Sequence, residues 1–275
     1  VIIVNFILFI HIKFINLCKS TFMRKLFYLL SFSFVFTACI PTGTEPTVKQ
    51  NDLSLNLTKI AITSCCYQTG NLSIYKAIKA QNPQLCIAMG DNVYADNVIS
   101  NPDYPAWIQA QYDLLKNNYD YKTFRAAVPT IATWDDHDTG ENDGTTTNPV
   151  KAIAKDLFFK FWNIQETDPR HNRPDGGIYG SYYFNDDARK VQVIMLDLRY
   201  NHSAYKASGA GAALSGYDTM MSPDATILGA TQWAWLEEEL RKPAKVRIIM
   251  SSLQFNSNYD GGENWAVLPL EKQKM

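Results

Sequence analysis

The sequence predicts a layered α/β domain, and three observations carry that prediction. Five short runs are continuously apolar, at 59–63, 85–89, 130–133, 191–196 and 246–250. Stretches with helical periodicity lie between several of them. Polar and acidic residues crowd directly after four of the runs. Continuous apolar runs fit strands buried on both faces, and strands alternating with helices fit a layered sheet domain.

The chain has 275 residues, and the domain does not start at once. Residues 1–22 are almost wholly apolar and read as upstream translation or an extra apolar segment. From Met23, "MRKLFYLLSFSFVFTAC" places Arg24 and Lys25 before an apolar run and small residues before Cys39. That is the layout of a secretory signal. Its end, "FTAC", resembles a bacterial lipoprotein signal, although Phe36 stands where Leu is usual, and makes Cys39 the lipidation candidate. Residues 40–54 read as a polar tether. The expectation is an exported cell-envelope protein held to a membrane by its leader or lipid. Residues 55–275 then form one domain with room for a substantial core.

The helical patterns follow in order. "NLSIYKAIKAQ" separates the first two strands, "YPAWIQAQYDLLKNN" precedes the third and "KAIAKDLFFKFWNI" follows it. "ATQWAWLEEELRKP" leads into the last strand and stops at Pro243. A net charge of −1 gives no basic footprint for nucleic acid. The five cysteines, at 18, 39, 65, 66 and 86, do not read as a disulfide scaffold. Two of them belong to the leader, and Cys86 lies in an apolar run that makes it a core residue.

The residues after the strands carry the chemistry. The first four runs named end in "TSCCYQ", "GDNVYAD", "WDDHDTGEND" and "DLRY". Ligands of α/β sheets bind outside the carboxyl ends of strands. This order would bring Cys65 or Cys66, Asp91, Tyr94, Asp136, His137, Asp197 and Arg199 to one rim. Between Asp135 and Asp143 five carboxylates surround His137, and such crowding calls for a positive partner. Carboxylate, phenolate and thiolate are anionic donors that together favour a trivalent or hard divalent ion. Zinc motifs of the HExxH or CxxC type are absent. An EF-hand counted from Asp136 fails, with Gly140 at its fifth position and Thr147 at its twelfth. Neither a P-loop nor a GxSxG elbow occurs.

"GDNVY", then "WDDHD", then "LDLR" resemble the alkaline phosphatase D (PhoD-like) family of calcineurin-type metallophosphoesterases. The resemblance runs from about Ile60 to Met275. It implies a two-sheet α/β/β/α sandwich that cleaves phosphate esters with Fe(III) and Ca(II), other divalent metals being possible. By position, Cys65 would bind iron, with Cys66 its neighbouring rival. Asp91 would bridge iron to a second metal, and Tyr94 would give a phenolate. Asp136 stands where relatives carry a metal-binding Asn. His137 matches the histidine that contacts the phosphate or protonates the leaving group. Asn142 matches a further metal-binding Asn, and Arg199 an arginine that pairs with phosphate or supports the rim. Asp197 has a strand-end structural role as its alternative.

The implied mechanism is phosphate ester hydrolysis as a monoesterase or phosphodiesterase. A metal-activated hydroxide attacks phosphorus, and His137 assists the leaving group. Asp135 and Asp138 would hold the loop and orient His137. The family's "SGDxHxxE" motif is expected beyond "ENWAVLPLEKQKM", so the C-terminal part, with an Asp and a His of the metal shell, is expected to be missing. The competing reading is a non-catalytic envelope lipoprotein that binds Ca(II) or a phosphorylated ligand.

Overall fold

A computed structural model describes residues 51–52, 56–96, 100–208, 216–257 and 262–275, all within one compact unit, Pro41–Met275. The expected leader, Cys39 and most of the tether lie outside the described residues. Strand β1 is Asn51–Asp52, and β2 is Ile60–Thr63. Helix α1 (Ile74–Ala80) leads to β3 (Leu85–Met89), and α2 (Tyr104–Asn117) and α3 (Tyr119–Arg125) lead to β4 (Thr130–Thr133). Helix α4 (Lys151–Phe161) precedes β5 (Gly180–Phe184) and β6 (Val191–Met195). The short strands β7 (Lys206–Ala207) and β8 (Tyr217–Asp218) pair with each other. Helix α5 (Gly229–Arg241), β9 (Val246–Met250) and α6 (Pro269–Lys274) complete the chain's described elements.

The predicted strands are present with ends that shift by no more than a residue. Strand β5 is not among them. Its "GSYYF" alternates buried and half-buried positions and lacks the aliphatic run that marked the others. It forms because its backbone pairs antiparallel with β6, from Gly180 opposite Met195 to Phe184 opposite Val191.

Strands β2, β3 and β4 form a parallel sheet. The second sheet has the order β1-β5-β6-β9, with β6 and β9 parallel. Alternation along each strand sorts its side chains into layers. Leu85 and Ile87 of β3 share one core with Val191, Val193 and Met195 of β6. Cys86 and Ala88 face the opposite way, into a core with Ile108, Tyr112 and Leu115 of α2 and Phe158 of α4. Ile194 of β6 joins Trp233 and Leu236 of α5 in a third core. The two sheets thus meet face to face with helices on their outer sides. At the strand ends they are tied by the Thr133 hydroxyl, which donates to the Leu196 carbonyl at 2.8 Å.

Two helix starts show how local chemistry fixes these layers. The Asn118 side chain accepts from the amides of Asp120 and Tyr121 at 3.1 and 3.2 Å and opens α3. Helix α5 has no side-chain cap of its own. The Glu271 carboxylate of α6 serves instead, accepting from the amides of Ile227 and Leu228 and from the Trp233 indole. Among the described residues no helix is long and apolar enough to cross a membrane.

Candidate metal centre

The loops after β2, β3 and β4 converge because their backbones are stitched together. The Cys66 amide donates to the Asp91 carbonyl at 2.7 Å, and the Cys65 amide to the Gly90 carbonyl at 3.4 Å. Gly90 has φ +102°, and a Cβ there would stand 2.6 Å from the Asp135 Cβ, so only glycine permits the approach. Cys65 and Asp91 themselves hold left-handed φ values of 54° and 50°. For residues with a Cβ that conformation is sparsely populated and collects at functional sites.

This geometry separates the two cysteines. Cys65 is exposed, and its thiol donates to Asp91 Oδ2 at 3.5 Å. Cys66 is buried in the helix-side core, where burial pushes its thiol up to about 11. Cys65, Cys66 and Cys86 are all free thiols. The Tyr94 hydroxyl also donates to Asp91 Oδ2, at 3.3 Å, and its ring lies 4.2 Å from that of His137. Gln68 fixes this tyrosine by bonding its amide and its carbonyl, both at 3.0 Å.

Asp91 is buried, and its Oδ1 has no hydrogen-bond partner. Burial, followed by the charges of Asp135 and Asp136, pushes it up to about 6. Tyr94 is driven upward by burial and by the Asp91 charge. The Cys65 thiol is raised by burial and by the same charge, against a hydrogen bond from Ser64. The unpartnered, buried Asp91 oxygen lies beside a thiol and a phenol, both of which can ligate a metal ion. The residues therefore fit a metal ion.

The acidic turn after β4 is divided in its tasks. Asp136, His137 and Asp91 present ligand atoms within 4.8 Å of one another. Asp138 is fully buried, and its carboxylate bonds away from the imidazole. It accepts from the Asn92 amide at 3.1 Å, the Asp135 amide at 3.0 Å and the Tyr112 hydroxyl at 3.2 Å. It thereby locks the β3 and β4 loops together. The expectation that it orients His137 is corrected: Asp96 does so, with both carboxylate oxygens 2.8 Å from Nδ1. Burial pulls the imidazole down. The Asp96 hydrogen bond and the charges of Asp136 and Asp91 outweigh that and raise it to about 9.

A second set, Asp136, Asp143 and Glu263, also gathers ligand atoms within 4.8 Å. Asn142 is exposed; the neighbouring Asp143 belongs to the second set, and its backbone amide donates to Asp136 Oδ2 at 2.7 Å. Arg199 is 1% exposed and lies among these acids rather than on open rim. Its Nε donates to Asp135, its Nη1 and Nη2 to Glu263 at 2.7 and 3.0 Å, and Nη2 lies 3.4 Å from Asp136. Its three contacts are with carboxylates of the acidic turn and the loop at Glu263. Ser252, just past β9, donates to the same Asp135 oxygen at 2.9 Å. Asp197 takes its structural role, accepting from the Trp134 indole at 2.9 Å and the Ile178 amide at 2.8 Å.

Fold and site together define a class: a layered α/β protein that gathers carboxyl, thiol and phenol side chains at its strand ends. A family model described as PhoD-like phosphatase matches residues 60–267. The chain belongs to the PhoD-like phosphatase family. A solved structure titled "Structure of PhoD" aligns with a TM-score of 0.59 at 19% identity, over 78% of this chain and 47% of that one. The likeness is one of fold, and the chain spans less than half of that relative. No curated protein matches the chain.

Proposed function

We propose that the protein hydrolyses phosphate esters with the help of metal ions bound at the ends of β2, β3 and β4. The observation that carries this reading is Asp91, buried with one oxygen unpartnered beside a thiol, a phenol and a second carboxylate. Cys65, Asp91 and Tyr94 would hold an iron ion, because thiolate and phenolate suit a polarising transition metal. Asp136, with Asp91, would hold a harder ion such as Ca(II). Bound there, the ions supply Lewis-acid activation of water and of the phosphoryl group.

The chain's own residues supply the rest. Asp96 keeps a proton on His137 Nδ1 and fixes the ring plane, so that Nε2 is the atom free to serve the substrate. In the metal-free protein the Asp96 hydrogen bond, with the Asp136 and Asp91 charges, outweighs burial and favours the protonated imidazole. It can donate its Nε2 proton to the departing ester oxygen, a transfer worth roughly 10²–10⁴-fold. Tyr94, packed on the same ring, limits its movement. Export and attachment to the cell envelope through Cys39 belong to this proposal and rest on the sequence of residues 23–39.

The test is hydrolysis of an aryl phosphodiester and an aryl monoester by the purified chain. Activity is expected after loading with iron and calcium and is lost on chelation. A metal-loaded chain that cleaves neither ester would favour binding without turnover. Asp96→Asn isolates the positioning of His137. Its kcat should fall roughly 10–100-fold, the usual cost of losing a carboxylate behind a histidine, while KM and metal content stay within about twofold. A change confined to KM would refute that role.

A further inference from the structure

The rim beside Cys65 carries an aromatic ring that the mechanism above does not use. Tyr67 is 59% exposed, a level that for an isolated tyrosine needs no explanation. This ring, however, packs against a residue of the site. It packs edge-on against Tyr94, with centroids 5.6 Å apart and planes at 72°. It also borders its own turn, where a Cβ added at Gly70 would stand 3.4 Å from its Cδ1. The turn is closed by the Gly70 amide donating to the Tyr67 carbonyl at 2.8 Å. Tyr94 in turn reaches Asp91 with its hydroxyl and His137 with its ring. Tyr67 is thus one ring removed from the candidate metal donors, and most of it is open to solvent.

We propose that Tyr67 is a specificity-determining residue whose open face receives a planar aromatic leaving group, an aryl ring or a nucleobase, while the phosphate sits at the metal donors. The proposal rests on the phosphoester reading. A tyrosine loses little freedom on contact and gives a broad flat surface. Aromatic pairs of this kind shift affinity about 3–10-fold. A compact alkyl leaving group would not reach the ring.

Phenylphosphonate and methylphosphonate resist hydrolysis, so their binding to the metal-loaded protein reads recognition apart from turnover. The wild type should prefer the phenyl compound. Tyr67→Leu should weaken phenylphosphonate binding about 3–10-fold and leave methylphosphonate within twofold, and Tyr67→Phe should behave as wild type. A nucleoside 5′-phosphonate that loses as much in the leucine variant also supports the platform and assigns it to a base. Equal losses for both simple phosphonates, no loss, or no binding of either overturns the proposal. A protein that cleaves esters without this dependence sinks the platform alone. One that shows the dependence but cleaves nothing sinks the hydrolytic reading alone.

Discussion

Replacing Asp91 with asparagine should abolish hydrolysis and at the same time stabilise the metal-free protein. Loss of activity of about 10³-fold or more is expected, since bound ions contribute several kcal/mol to the transition state. The opposite effect on stability comes from the same burial that makes the site. Burial, and then Asp135 and Asp136, hold the Asp91 carboxyl at about 6 against an ordinary 3.8. Between pH 4 and 6 the folded, metal-free state therefore binds more protons than the unfolded one. Its stability falls as pH rises through that window. After allowance for solvent the ionised group costs about 2 kcal/mol at neutral pH. An amide carries no such charge. In chelator, the variant should melt roughly 4–8 °C above wild type at pH 7.5, with the gap closing by pH 4.5. A variant that keeps activity, or one that melts lower at both pH values, would remove Asp91 from the centre of the site.

Arg199→Met should be the most damaging single change to stability. The guanidinium is the cation that reaches Asp135, Asp136 and Glu263, and it is buried. Removing one partner of a buried ionic group leaves uncompensated charge and costs about 3–5 kcal/mol. Urea denaturation of the metal-free protein should show that loss. Arg199→Lys should recover little, because an ammonium cannot serve several carboxylates with a planar fork. Calcium should restore part of the stability by replacing the lost charge. If Arg199 contacted phosphate instead, the variants would raise KM and leave the denaturation midpoint unchanged.

Much of this arrangement is legible in the sequence because strand ends order the residues before any contact is known. Asp91, Tyr94, Asp136 and His137 each follow an apolar run directly, and the sheets carry them to one rim. The sequence cannot separate Cys65 from Cys66, since the choice depends on a left-handed turn at Cys65 and a stitch from Cys66 to Asp91. Asp143 is drawn in by a similar local effect, the turn after His137 being set by its amide donating to Asp136. Asp96 was within reach of sequence reasoning, as a carboxylate two residues past Tyr94. Its pairing with His137 spans two loops, however, and spacing alone does not reveal it. Glu263 enters from a distant loop through Arg199, and nothing local marks it. Strand β5 is a pairing effect, legible only once β6 is in place.

The distance between Arg199 and its partners along the chain is also a distance in time. Asp135 precedes Arg199 by 64 residues, and Glu263 follows by as many. At about 5–20 residues per second, each gap lasts roughly 3–13 s during synthesis. The acidic turn is made while its internal counter-ion is still unmade, and the counter-ion then waits again for its last carboxylate. Strands β2, β3 and β4, with the helices between them, are complete before either arrives. The nascent chain thus meets its surroundings with His137 as the one cationic group inside the turn, and dissolved cations can quiet the remaining acids until translation delivers the rest.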